Sequence, residues 1–163
     1  MKIFHFLSLA LLGTPVLAAK FTGVESCITS SGELLAQGTL SGAGQPAQIT
    51  LSGTGKAECV CVTKSGQTPA AANKNNVAQG LTDTGQFCPT PHGGVPFCLT
   101  IGPPSPSCES GLHCGTGQQA QTTFTYTNVK LTSTGGTAKD NIGDVSSPCS
   151  QNSQTCLPLD NNC

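Results

Sequence analysis

Apolar and polar residues alternate along this chain with the period of β-strands, in segments bounded by Gly, Pro, Ser and Asn. The clearest segment runs from Thr122 to Leu131, rich in β-branched and aromatic residues, with Phe124 and Tyr126 on one face. Ala57 to Thr63 alternates as well. Ala57, Cys59 and Cys61 share one side there, with Glu58, Val60 and Val62 on the other. Further strands are predicted over Glu33–Leu40, Ala47–Ser52, Gly85–Cys88 and Pro96–Ile101. A short repeat predicts reversals between them: Leu40-Ser41-Gly42-Ala43-Gly44-Gln45 returns eleven places later as Leu51-Ser52-Gly53-Thr54-Gly55-Lys56. Two glycines in each copy suit tight turns of a meander. Six or seven short strands at this spacing favour an all-β, antiparallel β-sandwich over a barrel. Thr68 to Lys74 reads either as one helical turn, with Thr68 as N-cap and Pro69 first inside, or as an extended loop.

The two ends of the chain break this pattern. Lys2 precedes an apolar run from Ile3 to Leu12, and Gly13-Thr14-Pro15 then leads to Val16-Leu17-Ala18. That is the layout of an export signal over residues 1–18, with cleavage after Ala18 or, failing that, Ala19. The run is too short for a membrane anchor, and no later segment reaches the length a span needs. The β-sandwich domain is assigned to residues 19–131. From Thr132 to Cys163 aromatics vanish and Gly, Ser, Asn and Thr dominate, so residues 132–163 are predicted to be an irregular tail stapled to the sheet by its cysteines.

There are ten cysteines, all beyond the leader: Cys27, Cys59, Cys61, Cys88, Cys98, Cys108, Cys114, Cys149, Cys156 and Cys163. An even set in an exported chain implies a disulfide framework whose pairing the sequence leaves open. Cys59 and Cys61 face one side of a strand, so each is expected to bond a distant partner rather than the other.

Charge narrows the partners. After cleavage six lysines face eight acids, and arginine is absent. The lysines stand singly as Lys20, Lys56, Lys64, Lys74, Lys130 and Lys139, so no basic stripe is predicted. Nucleic-acid binding and membrane insertion are not expected. No Asn-x-Ser/Thr acceptor site is present either.

Candidate chemistry is sparse. His92 and His113 are the histidines beyond the leader, and His113-Cys114 near Cys108 is read as disulfide framework rather than a metal site. Asp140 to Asp144 lacks the spacing of a calcium loop and is read as a turn. No nucleophile elbow occurs, and Glu25, Glu33, Glu58, Asp83, Glu109, Asp140, Asp144 and Asp160 form no recognisable pair. No catalytic residue, cofactor site or metal site is therefore assigned. Two loops have the form of an inhibitor's rigid contact loop, Thr90–Pro96, between Cys88 and Cys98, and Gly102–Pro106, but both read first as ordinary hairpin connections.

Leader, cysteines, missing arginine and small polar surface together resemble the small secreted cysteine-rich proteins of filamentous fungi, many of them effector or elicitor candidates. Cys61-Val62, Gly66 to Lys74 and Phe124 to Val129 are also similar to a family of microbial secreted β-sandwich proteins of unknown activity. That likeness extends at most from Glu33 to Leu131. The resemblance implies a secreted, extracellular, non-enzymatic effector or elicitor, monomeric, acting on a host extracellular or cell-surface protein. The alternatives are an antimicrobial or wall-associated protein and a small hydrolase or hydrolase inhibitor.

Overall fold

The computed structural model describes residues 18–69, 72–105, 107–134, 138–150 and Cys156; the leader expected over residues 1–18 lies outside them but for Ala18. Seven strands form among the described residues. They are β1 (Lys20–Ile28), β2 (Leu34–Ser41), β3 (Ala47–Thr63), β4 (Lys74–Phe87), β5 (Val95–Ile101), β6 (Gln118–Thr134) and β7 (Lys139–Val145), with one 3₁₀ turn at Cys108–Gly111. They make two antiparallel sheets, β1-β2-β5 and β4-β3-β6-β7. The expected all-β sandwich forms.

Its core is made by the inward rows of both sheets. Leu34, Ala36 and Leu40 of β2 and Val95, Phe97, Leu99 and Ile101 of β5 meet Ile49, Leu51, Tyr126, Val129 and Leu131 of the larger sheet. Leu34, Leu40, Ile49, Leu51 and Leu131 are almost wholly buried, and each such side chain stabilises the fold by roughly 1.5–3 kcal/mol. Phe21 and Phe87 pack edge-on against Phe97 at centroid distances of 5.5 and 6.4 Å.

Several elements differ from the sequence expectation. The second glycine repeat is no reversal, because β3 runs unbroken through it. Its glycines serve close approach instead. A Cβ at Gly55 would lie 2.8 Å from Leu81, 2.9 Å from Pro104 and 3.0 Å from Tyr126, and one at Gly53 would lie 3.2 Å from Val129. The first repeat does turn, with Gly42 and Gly44 at φ 80° and 62°, but it carries the chain from one sheet to the other instead of closing a hairpin. So the meander is corrected to a sandwich crossing.

β1 and most of β4 were not anticipated. β4 is an edge strand whose inward row includes Gln79, Asp83 and Gly85, so its alternation is too dilute to read. Around the expected helical turn, Thr68, Pro69, Ala72 and Asn73 are not helical and Lys74 opens β4, while Ala70 and Ala71 lie outside the described residues. β7 falls inside the expected irregular tail and contains the supposed turn Asp140–Asp144; pairing to the free edge of β6 makes it a strand.

Beyond β7 the described part of the tail is irregular and stapled, as expected. Pro148 bridges Ile28 of β1, and the Cys149 amide donates to the Ile28 carbonyl at 2.8 Å. Cys149 is bonded to Cys27 of β1, and Cys156 to Cys98 of β5, so the tail grips both outer strands of the smaller sheet. Residues 151–155 and 157–163 lie outside the described residues.

The β1–β2 turn docks against the larger sheet. Gly32 sits there at φ 85°, and a Cβ on it would overlap the Phe124 ring. Gly66, at φ 82°, has open space around it. Gly66→Ala is expected to cost about 1 kcal/mol for left-handed strain alone, and Gly32→Ala roughly 2–4 kcal/mol because the ring must also move. Urea unfolding followed by Tyr126 fluorescence checks the difference; equal costs would show that the Phe124 contact adds nothing.

Candidate functional site

The described cysteines are used in pairs. Cys59 bonds Cys108 and Cys61 bonds Cys114, so one strand holds two distant partners and the expectation from their shared face is met. Cys88 is also disulfide-bonded. Cα–Cα distances of 4.8–5.7 Å lie in the normal range for the four bridges between described residues. They close sequence separations of 49 to 122 residues, so each restricts the unfolded chain by roughly 4–5 kcal/mol taken singly.

Cys59–Cys108 and Cys61–Cys114 fix the segment after β5 over the half of β3 that projects past the main core, where Ala57, Cys59 and Cys108 form a small second core with Val77, Leu112 and Phe124. Polar side chains complete the fastening. Asn75 Nδ2 donates to the Cys108 carbonyl at 2.8 Å, and Asn73 Nδ2 to that of His113 at 2.6 Å. Thr122 Oγ1 donates to Glu109 Oε1 at 2.5 Å.

Among the described residues, acids and histidines do not converge, and Asp160 lies outside them. His113 lies beside Asn73 near one end of β3, and His92 sits in the β4–β5 connection at the other. Glu58 projects from the outer face of the larger sheet, whereas Glu109 lies on its other side. Glu25 accepts from Gln37, Glu33 from Ser31, Asp83 from the Thr84 amide and Asp144 from the Asn128 amide. Among the described residues no three His, Cys, Asp or Glu side chains gather as metal ligands, and no helix is long and apolar enough to cross a membrane.

The two candidate loops part company. Thr90–Gly94 is an exposed turn closed by Thr90 N to Gly94 O at 2.7 Å and Gly93 N to Thr90 O at 2.8 Å. Of the other loop, Gly102–Ser105 is held to the sheet, with Pro104 buried against Gly55 and the Ser105 amide donating to Gln79 Oε1 at 2.9 Å, and Pro106 lies outside the described residues. It is anchored through Pro104, while Pro103 and Ser105 stay exposed.

Two features escaped sequence reasoning. One is the bonding of the buried Tyr126: its place in the core follows from its strand face, but its hydroxyl also donates to the Gly32 carbonyl at 2.6 Å and lies 3.2 Å from that of Ile101. The other is charge. Lysines scattered along the sequence are gathered by strand register, so that Lys56, Lys74, Lys130 and Lys139 all stand on the outer face of the larger sheet. The expectation of no basic stripe is corrected, because pairing partners rather than sequence neighbours decide which side chains share a face. Lys56 ion-pairs with Glu58, and this hydrogen bond and charge hold the Glu58 carboxyl below its ordinary value, with Lys74 adding to the effect. A shallow groove of about 310 Å³ opens beside them, lined by Glu58, Val60, Thr68, Lys74, Asn76 and Thr123.

No known family, curated protein or solved structure matches the chain.

Burial pushes the Tyr126 hydroxyl up from 10.0 to about 12, with the Leu34 backbone opposing and the Glu33 charge adding. The folded chain thus keeps a proton that the unfolded chain loses above pH 10. Stability from this group is complete below pH 10 and is lost as pH rises toward 12. Because the chain has one tyrosine and no tryptophan, tyrosinate absorbance reports this residue alone. Half-titration near pH 12 in the native protein, falling to about 10 in urea, is the expected result; a native value near 10 would mean the hydroxyl is solvated.

Proposed function

We propose that this is a secreted, non-enzymatic effector or elicitor that works outside the cell, at a host interface, by surface contact with a host extracellular or cell-surface protein. The observation that supports this reading best is where the fastening lies. Disulfides hold the tail to both outer strands of one sheet and a covering segment to the other, and they flank an exposed, hydrogen-bonded turn at Thr90–Gly94. A loop fixed before encounter loses little freedom on binding, which favours recognition by contact. Disulfides belong to oxidising surroundings, in keeping with an extracellular setting. Most of the described acids are hydrogen-bonded within the fold, in keeping with recognition by shape and hydrogen bonding.

Infiltration of the oxidised mature protein into leaf tissue tests this. Cell death or an oxidative burst from the native protein, absent after reduction and alkylation, is the expected outcome. No response to correctly oxidised protein at micromolar dose, or an equal response to the reduced chain, would count against it.

A further inference from the structure

The register of the larger sheet puts one lysine on the outer face of each of its four strands, and the four fall on a diagonal. Lys74 of β4 stands opposite Val60, Lys56 follows on β3, Lys130 of β6 stands opposite Ser52, and Lys139 of β7 stands opposite Thr132, itself opposite Thr50. Each step crosses one strand and moves four, four and then two residues along. At about 3.4 Å per residue and about 4.8 Å between strands, successive positions lie roughly 14, 14 and 8 Å apart, a line of about 36 Å. Lys74, Lys130 and Lys139 are exposed. Glu58 is the acid standing on this line, between Lys56 and Lys74. Lys20 belongs to the other sheet.

Hydroxyls fill the surface around the lysines. Thr84, Thr50 and Thr132 form one cross-strand row, and Thr54 and Thr127 stand in another, with Thr50 and Thr84 hydrogen-bonded at 2.9 Å. Every aromatic residue of the described chain, by contrast, packs with the core: Phe21, Phe87, Phe97, Phe124 and Tyr126.

We propose that this face binds an extended, carboxylate-bearing polysaccharide, a polyuronate, laid along the lysine diagonal. The spacing selects a polymer. Lysines about 8–14 Å apart are near or beyond the Debye length of physiological salt, so a small anion meets one of them, and a chain of regularly spaced carboxylates meets the exposed Lys74, Lys130 and Lys139 together, with Lys56 held by Glu58 between them. Chemistry selects the polymer class. A face without aromatics offers neither a platform for neutral sugar rings nor one for nucleic-acid bases, and the chain beyond the leader has no arginine to fork onto phosphate. Threonine and serine hydroxyls pair readily with sugar hydroxyls and carboxylates. This site goes beyond the host-contact reading and does not rest on it.

The test is binding of the oxidised mature protein to polygalacturonate at low ionic strength, with neutral dextran and single-stranded DNA as competitors. The wild-type protein is expected to bind polygalacturonate in preference to both and to be released by salt. Lys74→Gln, Lys130→Gln and Lys139→Gln should each weaken binding by roughly fivefold, and should do so cumulatively. Lys20→Gln, which removes the same charge from the other sheet, should leave it unchanged. Glu58→Gln should strengthen it, by removing the acid and freeing Lys56. An unaltered Tyr126 titration in each variant confirms the fold. Equal binding by the triple variant, an equal loss in Lys20→Gln, or equal affinity for dextran would overturn the proposal. A preference for DNA would overturn the polysaccharide assignment.

Discussion

One hydroxyl, Tyr126 Oη, ties together the two sheets and the two turns that close them. Its hydrogen bond to the Gly32 carbonyl reaches the turn between β1 and β2, and Ile101, whose carbonyl lies beside it, ends β5. The contact admits no bulk around it. A Cβ at Gly102 would overlap the hydroxyl, one at Gly55 would press on the ring edge, and one at Gly32 would overlap the neighbouring Phe124. Three glycines from three elements are thus shaped around two aromatic side chains of a single strand. A bulge in β6 makes the arrangement continuous: with Asn128 at φ 55° and the register shifted opposite Gly53, Tyr126 and Val129 both face the core. Without the extra residue, everything from Val129 to Leu131 would point to the opposite side.

Disulfides act where this contact does not reach. Tyr126 fixes the centre of the sandwich, while Cys27–Cys149 and Cys98–Cys156 secure the outer side of the smaller sheet, and Cys59–Cys108 and Cys61–Cys114 secure the overhanging end of the larger one. The division leaves the outer face of the larger sheet uncommitted to folding. Away from the buried Val62, that face carries a row of hydroxyls and a diagonal of lysines whose contacts, such as Thr50 with Thr84 and Lys56 with Glu58, lie at the surface.

Strands with an undiluted inward row were legible in the sequence: β2, β5 and β6 alternate openly, and the shared face of Cys59 and Cys61 foretold two separate partners. Gly53 and Gly55 misled, because a glycine that lets two layers approach looks the same in sequence as one that turns the chain. β4 and β7 were hidden for a different reason. Edge strands need little apolar surface once a neighbour supplies hydrogen bonds, so Asp83 and Asp140 are admissible in them. The lysine diagonal was out of reach altogether, since positions 56, 74, 130 and 139 have no period; only pairing register, including the β6 bulge, brings them into line.

That central role of the tyrosine makes Tyr126→Phe the most direct trial of this account. The substitution keeps the ring and removes the hydroxyl, leaving the Gly32 carbonyl without its partner in a dry interior. Urea unfolding followed by circular dichroism, with all disulfides intact, should show a loss of roughly 1–3 kcal/mol. A loss below about 0.5 kcal/mol, no more than a surface substitution gives, would contradict the claim that this one contact holds the two sheets in place.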